Sequence, residues 1–167
     1  AARNAFKHVT RLADAEKVSS WFFVSNVDVQ APANAATIVA FGDSITDGAT
    51  STPNTDGSWP SDLAERLAAN PATANIAVVN QGISGNMVLR DGAGVSALAR
   101  FDRDVLAQAG VKWLMILEGI NDMNGAARTP PGIAPVTADD LIGAMKQMID
   151  RAHTHGIKAI GCTLTPF

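Results

Sequence analysis

Ile38-Val39-Ala40-Phe41-Gly42-Asp43-Ser44 is an apolar run that ends abruptly in a polar turn. Four consecutive apolar residues bounded by turn formers predict a buried β-strand, because the run is too short for a helix. Ligands of open α/β sheets bind just beyond the carboxyl ends of the strands. Ser44 lies at such a position and is therefore a candidate nucleophile. The same residues also suit an ordinary strand-to-helix turn, so this stretch alone leaves both interpretations open.

Strand-like and helix-like segments alternate along the chain after this first strand. Helices are predicted from Ser58-Trp59-Pro60, with proline in the first turn, and from Thr137, whose hydroxyl is a capping group. A third helix is predicted between residues 95 and 109, and Gly110 ends it. Its predicted buried face comprises Val95, Leu98, Val105, Leu106 and Ala109, interrupted by Asp102. The further predicted strands are Ile76–Val79, Val111–Leu117 and Ile157–Leu164. This alternation indicates a parallel sheet built from right-handed βαβ units.

Polar, glycine-containing clusters follow three of the predicted strands. Besides Gly42-Asp43-Ser44, these are Asn80-Gln81-Gly82-Ile83-Ser84-Gly85-Asn86 and Glu118-Gly119-Ile120-Asn121-Asp122. Parallel strands place their carboxyl ends at one edge of the sheet, so the clusters are expected to meet in one crevice. Three converging clusters favour a functional site over three unrelated turns.

These clusters resemble the first three sequence blocks of the SGNH (GDSL) hydrolases, and the resemblance spans about Thr37 to Phe167. It implies a flavodoxin-like three-layer α/β/α sandwich around a parallel sheet. It also implies a serine ester hydrolase that works through an acyl-enzyme, with Ser44 as the nucleophile. The Ser44 and Gly85 backbone N–H groups and the Asn121 side chain would bind the oxyanion. No cofactor and no metal is implied.

The chemistry of acyl transfer is consistent with these roles. The reaction needs a hydroxyl nucleophile and N–H donors aimed at the developing alkoxide. Glycine lets a backbone N–H approach closely because it has no Cβ, and an asparagine amide is a neutral donor. Asp43 and Asp122 are expected to accept backbone hydrogen bonds that shape their turns rather than to act as acid or base.

The catalytic base of the family comes from a late Asp-x-x-His block that this sequence lacks. His153 and His155 end the helix that begins after Thr137, so they are expected at the opposite, amino edge of the sheet. His8 is not excluded by geometry, but no spacing supports it. The chain is therefore expected to be an incomplete SGNH domain. We expect the catalytic Asp and His on a companion polypeptide fragment beyond Phe167, separated by cleavage or by disorder in an exposed loop.

Residues 1–34 are expected to be an N-terminal arm or the end of a preceding β-rich segment, and residues 35–167 the N-terminal portion of the hydrolase domain. Ser20–Val24 and Val27–Val29 are predicted strands, because aromatic and β-branched residues suit a pleated surface. This segment resembles the end of an accessory domain found ahead of some carbohydrate-active members. The resemblance favours acylated carbohydrates or small acyl esters as substrates, and a secreted or periplasmic protein.

Composition excludes several other classes of protein. The 167 residues suffice for one domain, and 47% hydrophobic with 17% charged residues indicates a globular chain. The net charge of −3 gives no reason to expect a nucleic-acid partner, and no apolar run is long enough to span a membrane. Cys162 is the single cysteine, so neither an internal disulfide nor a cysteine-based zinc site can form. Its apolar surroundings predict a buried structural thiol.

Two alternatives to an active hydrolase remain open at the level of sequence. The segment from Ser44 to Thr50 could cradle a phosphate, as the loops of flavodoxin-like nucleotide- or flavin-binding modules do. Such a module would not explain Gly85 and Asn121 at the other strand ends. The second alternative is a catalytically degenerate SGNH-fold protein that has lost its base.

Overall fold

The computed structural model describes residues 26–52, 55–126 and 132–164. The chain divides into two compact units, Ala1–Gln30 and Ala31–Phe167, and the elements below belong to the second. The boundary expected after residue 34 stays a prediction. Of the two strands expected near the start, Ser20–Val24 lies outside the described residues. The other was predicted wrongly: residues 27–29 form no strand, and Val27 and Val29 are 70% and 65% exposed. β-branched residues favour a strand only where a neighbouring strand covers them, and the described residues supply none here.

Four parallel strands form the sheet in the described part of the chain. They are β1 (Ala36–Gly42), β2 (Ile76–Gly82), β3 (Val111–Leu117) and β4 (Lys158–Gly161), in the order β2-β1-β3-β4. Phe41 of β1 is level with Gln81 of β2 and with Ile116 of β3. The chain ends of β1, β2 and β3 therefore emerge side by side at one edge.

Helices flank this parallel sheet. They are α1 (Ser44–Asp47), α2 (Trp59–Ala69), α3 (Ala97–Phe101), α4 (Ile120–Ala126) and α5 (Ala138–Thr154), and α3 continues into one π-helical turn, Asp102–Leu106. The arrangement is that of a three-layer α/β/α sandwich, which confirms the predicted fold class. Among the described residues, no helix combines the length and apolar character needed to cross a membrane.

The main core lies between the sheet and the pair α3 and α5. Alternate residues of a strand point to the same face, so β1 and β3 each contribute two side chains to it. These strand residues are Val39, Phe41, Leu114 and Ile116, and the helices add Phe101, Val105, Met148 and Ala152. Phe41 and Phe101 meet edge to face, with ring centroids 5.7 Å apart.

Several elements differ from their predicted form, and β1 is longer at both ends than the four apolar residues that predicted it. β4 ends at Gly161 rather than at Leu164, because its partner β3 ends at Leu117 and offers few further hydrogen bonds. The Cys162 N–H makes one more, to the Ile116 carbonyl at 2.9 Å, and the thiol is half-buried rather than buried. β2 continues three residues beyond its predicted end. The short helix α4 was not predicted from the sequence.

The buried face of the helix between residues 95 and 109 was predicted only in part: Val105 is buried and Leu98 and Leu106 pack against the core, but Val95 and Ala109 are exposed. Val95 is 44% exposed, and Asp102 lies on the exposed side, where it pairs with Arg151. The buried residues are Ala97, Arg100, Phe101, Asp104 and Val105. These residues have the spacing of a helix face, but two of them carry charges, so a search for apolar residues alone found Val105 and missed Arg100 and Asp104.

Candidate active site

The predicted site residues lie where the chain leaves three adjacent strands. Ser44 follows β1, Gly85 follows β2 and Asn121 follows β3, and all three are half-buried. The chain runs from β1 to one side of the sheet to form β2, and then crosses β1 to form β3 on the other side. Open α/β sheets bind ligands at such a switch point.

The turn that carries Ser44 is held by its neighbours. The Asp43 carboxylate caps α1 by accepting a hydrogen bond from the Ile45 N–H at 2.9 Å. Gly42 allows the turn to pack closely, since a Cβ there would lie 2.6 Å from the Leu117 carbonyl oxygen. The Ser44 carbonyl accepts the N–H of Gly48, a residue with left-handed backbone, at 3.0 Å.

The loop after β2 packs directly on α1. A Cβ on Gly82 would lie 2.1 Å from the backbone nitrogen of Asp47, so only glycine fits there. The Ser84 hydroxyl donates to the Asp47 carboxylate at 2.5 Å. Gly85 has a φ of +77°, in the left-handed region that favours glycine.

Hydrogen bonds also join the loop after β3 to the loop after β2. The Asn121 side-chain amide donates to the backbone carbonyl of Asn86 at 2.9 Å, next to Gly85. The Asp122 carboxylate accepts the N–H groups of Val88 at 2.8 Å and Leu89 at 3.3 Å. Asp122 therefore shapes the neighbouring loop, and not its own turn as expected.

Three carboxyl groups lie buried beneath these loops, on Asp43, Glu118 and Asp122. Burial, together with the charge of Asp43, raises the pKa of Glu118 to about 8, although Arg100 lies 3.4 Å away and partly offsets the effect. Burial also raises the pKa of Asp43, against the hydrogen bond from Ile45. Glu118 is therefore mostly protonated at neutral pH.

Glu118 was included in the third polar cluster but was given no role, and Arg100 and Asp104, which lie buried on the helix that precedes β3, were missed. Burial would raise the pKa of Asp104, but hydrogen bonds from Arg103 and Arg100 outweigh it and the pKa is lowered. Two signals were available in the sequence. Glu118 directly follows an apolar strand. Arg100 and Asp104 are four residues apart, and each directly precedes an apolar residue of the same helix face, Phe101 or Val105.

The histidines of the described residues lie away from these loops. His153 and His155 are exposed at the end of α5, just before β4 begins, which places them at the amino edge of the sheet. The His155 ring Nδ1 lies 2.9 Å from the Arg151 carbonyl oxygen. His8 lies outside the described residues. The described ranges contain no cluster of three or more side chains suited to bind a metal ion.

Comparison with known families identifies the chain. Residues 38–166 match the family described as GDSL-like Lipase/Acylhydrolase. The chain belongs to this family. The match includes all three polar clusters, which confirms the resemblance drawn from their residues. No curated protein matches the sequence.

Several solved structures share the fold of this GDSL-like chain. A variant of the acetyl xylan esterase Axe2 from Geobacillus stearothermophilus is 28% identical, with a TM-score of 0.58 over 75% of this chain and 58% of that one. The acetyl xylan esterase AlAXEase is 24% identical, with a TM-score of 0.59 over 76% and 57%. A variant of the esterase AlinE4 is 17% identical, with a TM-score of 0.60 over 78% and 60%. The chain thus spans less than two thirds of each of these proteins.

Proposed function

We propose that the protein carrying this chain is a serine ester hydrolase in which Ser44 is the nucleophile. One observation carries the proposal: Ser44, Gly85 and Asn121 follow three adjacent strands, and Asn121 is hydrogen-bonded to the residue after Gly85. The proposed site would combine the Ser44 hydroxyl with two N–H donors from the neighbouring loops. Membership of a lipase and acylhydrolase family supports the same reaction class.

The proposed reaction has two steps. The Ser44 oxygen attacks the ester carbonyl carbon while a histidine takes the hydroxyl proton, and a tetrahedral oxyanion forms. The intermediate collapses, the histidine returns the proton to the leaving alcohol, and the acyl group stays on Ser44. Water then attacks the acyl-enzyme by the same route and releases the acid.

The oxyanion would be bound by the backbone N–H groups of Ser44 and Gly85 and by the Asn121 amide. An amide nitrogen carries two hydrogens, and one of those on Asn121 already donates to Asn86. That bond fixes the plane of the amide, and the second hydrogen is the donor that we assign to the oxyanion. A donor held in place before the reaction stabilises the transition state without a cost of reorganisation.

We propose that the general base is a histidine outside residues 1–167, with its Asp partner in an Asp-x-x-His block, on the same polypeptide or on a companion fragment. The positions of His153 and His155 at the amino edge support this assignment. Intact-mass analysis of the active protein separates the two arrangements. One species heavier than the 17.4 kDa of this chain indicates a single polypeptide, and two species indicate a companion.

The proposed substrates are acylated carbohydrates or small acyl esters, and the proposed location is secreted or periplasmic, where polysaccharides occur. The likeness to Axe2, an acetyl xylan esterase, supports this class. A groove of about 420 Å³ lined by Met123, Val136, Leu141 and Ile142 is the feature that would favour longer acyl chains. We expect faster hydrolysis of acetylated xylo-oligosaccharides than of nitrophenyl esters with eight or more carbons, and the reverse order would contradict the carbohydrate assignment.

Covalent labelling tests the nucleophile directly. The intact protein should react with a fluorophosphonate at Ser44, as located by peptide mass spectrometry, and should hydrolyse 4-nitrophenyl acetate. Ser44→Ala should abolish both with an almost unchanged melting temperature. Ser61→Ala is the matched control, because this residue lies on α2, its hydroxyl accepts a hydrogen bond from the N-cap residue Ser58, and it takes no part in the proposed site. A folded protein that neither labels nor turns over would support the degenerate alternative, and release of a flavin or nucleotide on denaturation would support the binding module.

A further inference from the structure

Arg100 is the largest fully buried side chain in the described residues, with 1% of its surface exposed. Its guanidinium donates to the Gly42 carbonyl at 3.0 Å, to the Gln81 carbonyl at 2.9 Å and to the Asn86 side-chain oxygen at 2.9 Å. These acceptors lie at or just beyond the carboxyl ends of β1 and β2. The guanidinium also stacks on the Phe41 ring, 4.0 Å from its centroid.

Two carboxyl groups complete the surroundings of this cation. Asp104, one helical turn further on, accepts at 3.0 Å, and Glu118, which follows β3, accepts at 3.4 Å. A buried guanidinium is costly unless its N–H donors are paired, and here they are distributed over the ends of three strands. An arginine that served only the core could be satisfied within its own helix. The acceptors of Arg100 instead lie at the strand ends beside the proposed active site, which indicates a role in that site.

The hydrogen bonds continue from Arg100 to the proposed oxyanion donor. Asn86 accepts from Arg100 through its side chain and from Asn121 through its backbone carbonyl. Gly42 likewise accepts both from Arg100 and from the Ile83 N–H, the latter at 3.0 Å. Gly42 and Asn86 thus each accept one hydrogen bond from Arg100 and one from a loop residue, and so connect Arg100 to the loops after β2 and β3.

We propose that Arg100 is a positioning residue: its guanidinium fixes the loops after β1, β2 and β3 relative to one another and so holds the oxyanion donors around Ser44. This inference rests on the function proposed above. A planar group with five N–H donors can serve several acceptors at once, which a lysine ammonium cannot do. Displacing catalytic groups by about 1 Å can lower a rate about 100-fold.

We expect the protonation of Glu118 to modulate this arrangement, because its carboxyl group is buried 3.4 Å from the Arg100 guanidinium. Glu118 is faced by Asp43 from the turn after β1, by Arg100 from α3 and by Asp122 from α4, and Asp104 accepts from the same guanidinium. Ionisation of Glu118 adds a negative charge beside Asp43, beneath the position where the oxyanion would form. Because its pKa is about 8, we expect kcat to fall as the pH rises through that value.

Arg100→Lys and Arg100→Met in the intact protein test the role of the guanidinium. Arg151→Met is the matched control, because Arg151 also stacks on an aromatic ring, Phe101 at 4.8 Å, but donates to Leu98 and Asp102 instead. With 4-nitrophenyl acetate we expect Arg100→Lys to lower kcat about 10- to 100-fold and to change KM less than about threefold. Amide hydrogen exchange at Ile83 and Asn86 should accelerate about tenfold or more in Arg100→Lys, but not in Arg151→Met.

Equal kcat and equal exchange rates in Arg100→Lys and Arg151→Met would overturn the proposal. If the Arg100 variants do not fold, Glu118→Gln decides, because it keeps the size of the side chain. It should abolish the decline of kcat near pH 8, and a decline that persists counts against the proposal. An inactive wild-type protein would reject the proposed hydrolase function alone, since hydrogen exchange still measures whether Arg100 holds these loops.

Discussion

Asn121 illustrates how one side chain can connect two loops and still contribute to chemistry. One N–H of its amide is committed to the Asn86 carbonyl, which links α4 to the loop after β2. The residue is half-buried and contributes no apolar area to the main core. Its loss should therefore affect the reaction far more than the fold.

We expect Asn121→Ala to lower kcat about 100- to 1000-fold, the range for a single oxyanion donor, with KM nearly unchanged. Steady-state kinetics of the intact protein with 4-nitrophenyl acetate measure this. Asn124→Ala, at an exposed position one turn later on α4, is the control and should retain full activity. A raised KM at constant kcat would mean that Asn121 binds ground-state substrate instead.

At the residue scale, the sequence predicted the polar residues at the strand ends but not the charges beneath them. Ser44, Gly85 and Asn121 could be singled out because glycines and polar residues interrupt apolar runs at one edge of the sheet. Arg100 and Glu118 were not singled out, because charged residues are usually expected at the surface and their position beside apolar residues is a weak signal. Their burial depends on acceptors contributed by three different strands, which are distant in sequence.

At the scale of elements, close packing between α1 and β2 is what brings the first two loops together. Gly82 is the contact point, because its missing Cβ lets the Asp47 backbone approach. Gly143 on α5 is the opposite case, since a Cβ there would meet no atom within 4 Å. The two glycines therefore predict opposite effects of the same substitution.

Gly82→Ala should lower the free energy of unfolding by about 1–3 kcal/mol or more. The added methyl group would overlap the backbone atoms of Asp47, which cannot easily move. Gly143→Ala should raise it by about 1 kcal/mol, since alanine is favoured over glycine in an exposed helix. Urea denaturation of both variants measures the difference. A Gly82→Ala protein as stable as wild type would show that α1 is not packed on β2 as described.

Elements whose signals are local were predicted best. β3 has its predicted bounds, and α5 begins after the Thr137 cap, where the capping box with Asp140 is present. The buried face of α3 and its π-helical turn was predicted only in part, without its charged residues, and β4 proved shorter than predicted. Both features depend on residues that are distant in sequence. Arg100 is buried because carbonyl groups at the strand ends accept its hydrogen bonds, and β4 ends where its partner β3 ends. Local sequence contains neither.

At the scale of the whole molecule, alternating strands and helices sufficed to predict a parallel α/β/α fold. The alternation limits the topology because βαβ crossovers are right-handed and connections are short. The order β2-β1-β3-β4 then brings the three polar clusters to adjacent strand ends. The same order concentrates carboxyl groups beneath the site. We therefore expect a dependence on pH that the modest net charge would not suggest.

Glu118 predicts how global stability changes with pH. Its pKa is about 8 in the folded protein, against 4.5 as the ordinary value, so between these values the native state holds a proton that the unfolded state has released. Stability from this group is therefore complete below about pH 4.5 and is lost as the pH rises to about 8, by at most about 1.4 kcal/mol per pH unit. The raised pKa of Asp43 likewise lowers stability as the pH rises. The lowered pKa of Asp104 has the opposite effect, because it contributes stability that is lost as the pH falls below its ordinary value of 3.8.

Urea denaturation of the intact protein at several values between pH 5 and pH 8 measures this loss. Glu118→Gln should flatten the decline, since glutamine carries the same shape without a titrating proton. Gly143→Ala changes no charge and should shift the whole curve without altering its slope. Parallel curves for wild type and Glu118→Gln would mean that Glu118 is ionised in the native state at neutral pH. Arg100 would then be paired with two ionised carboxylates, those of Asp104 and Glu118. Neither kcat nor stability would then be expected to decline near pH 8 because of Glu118.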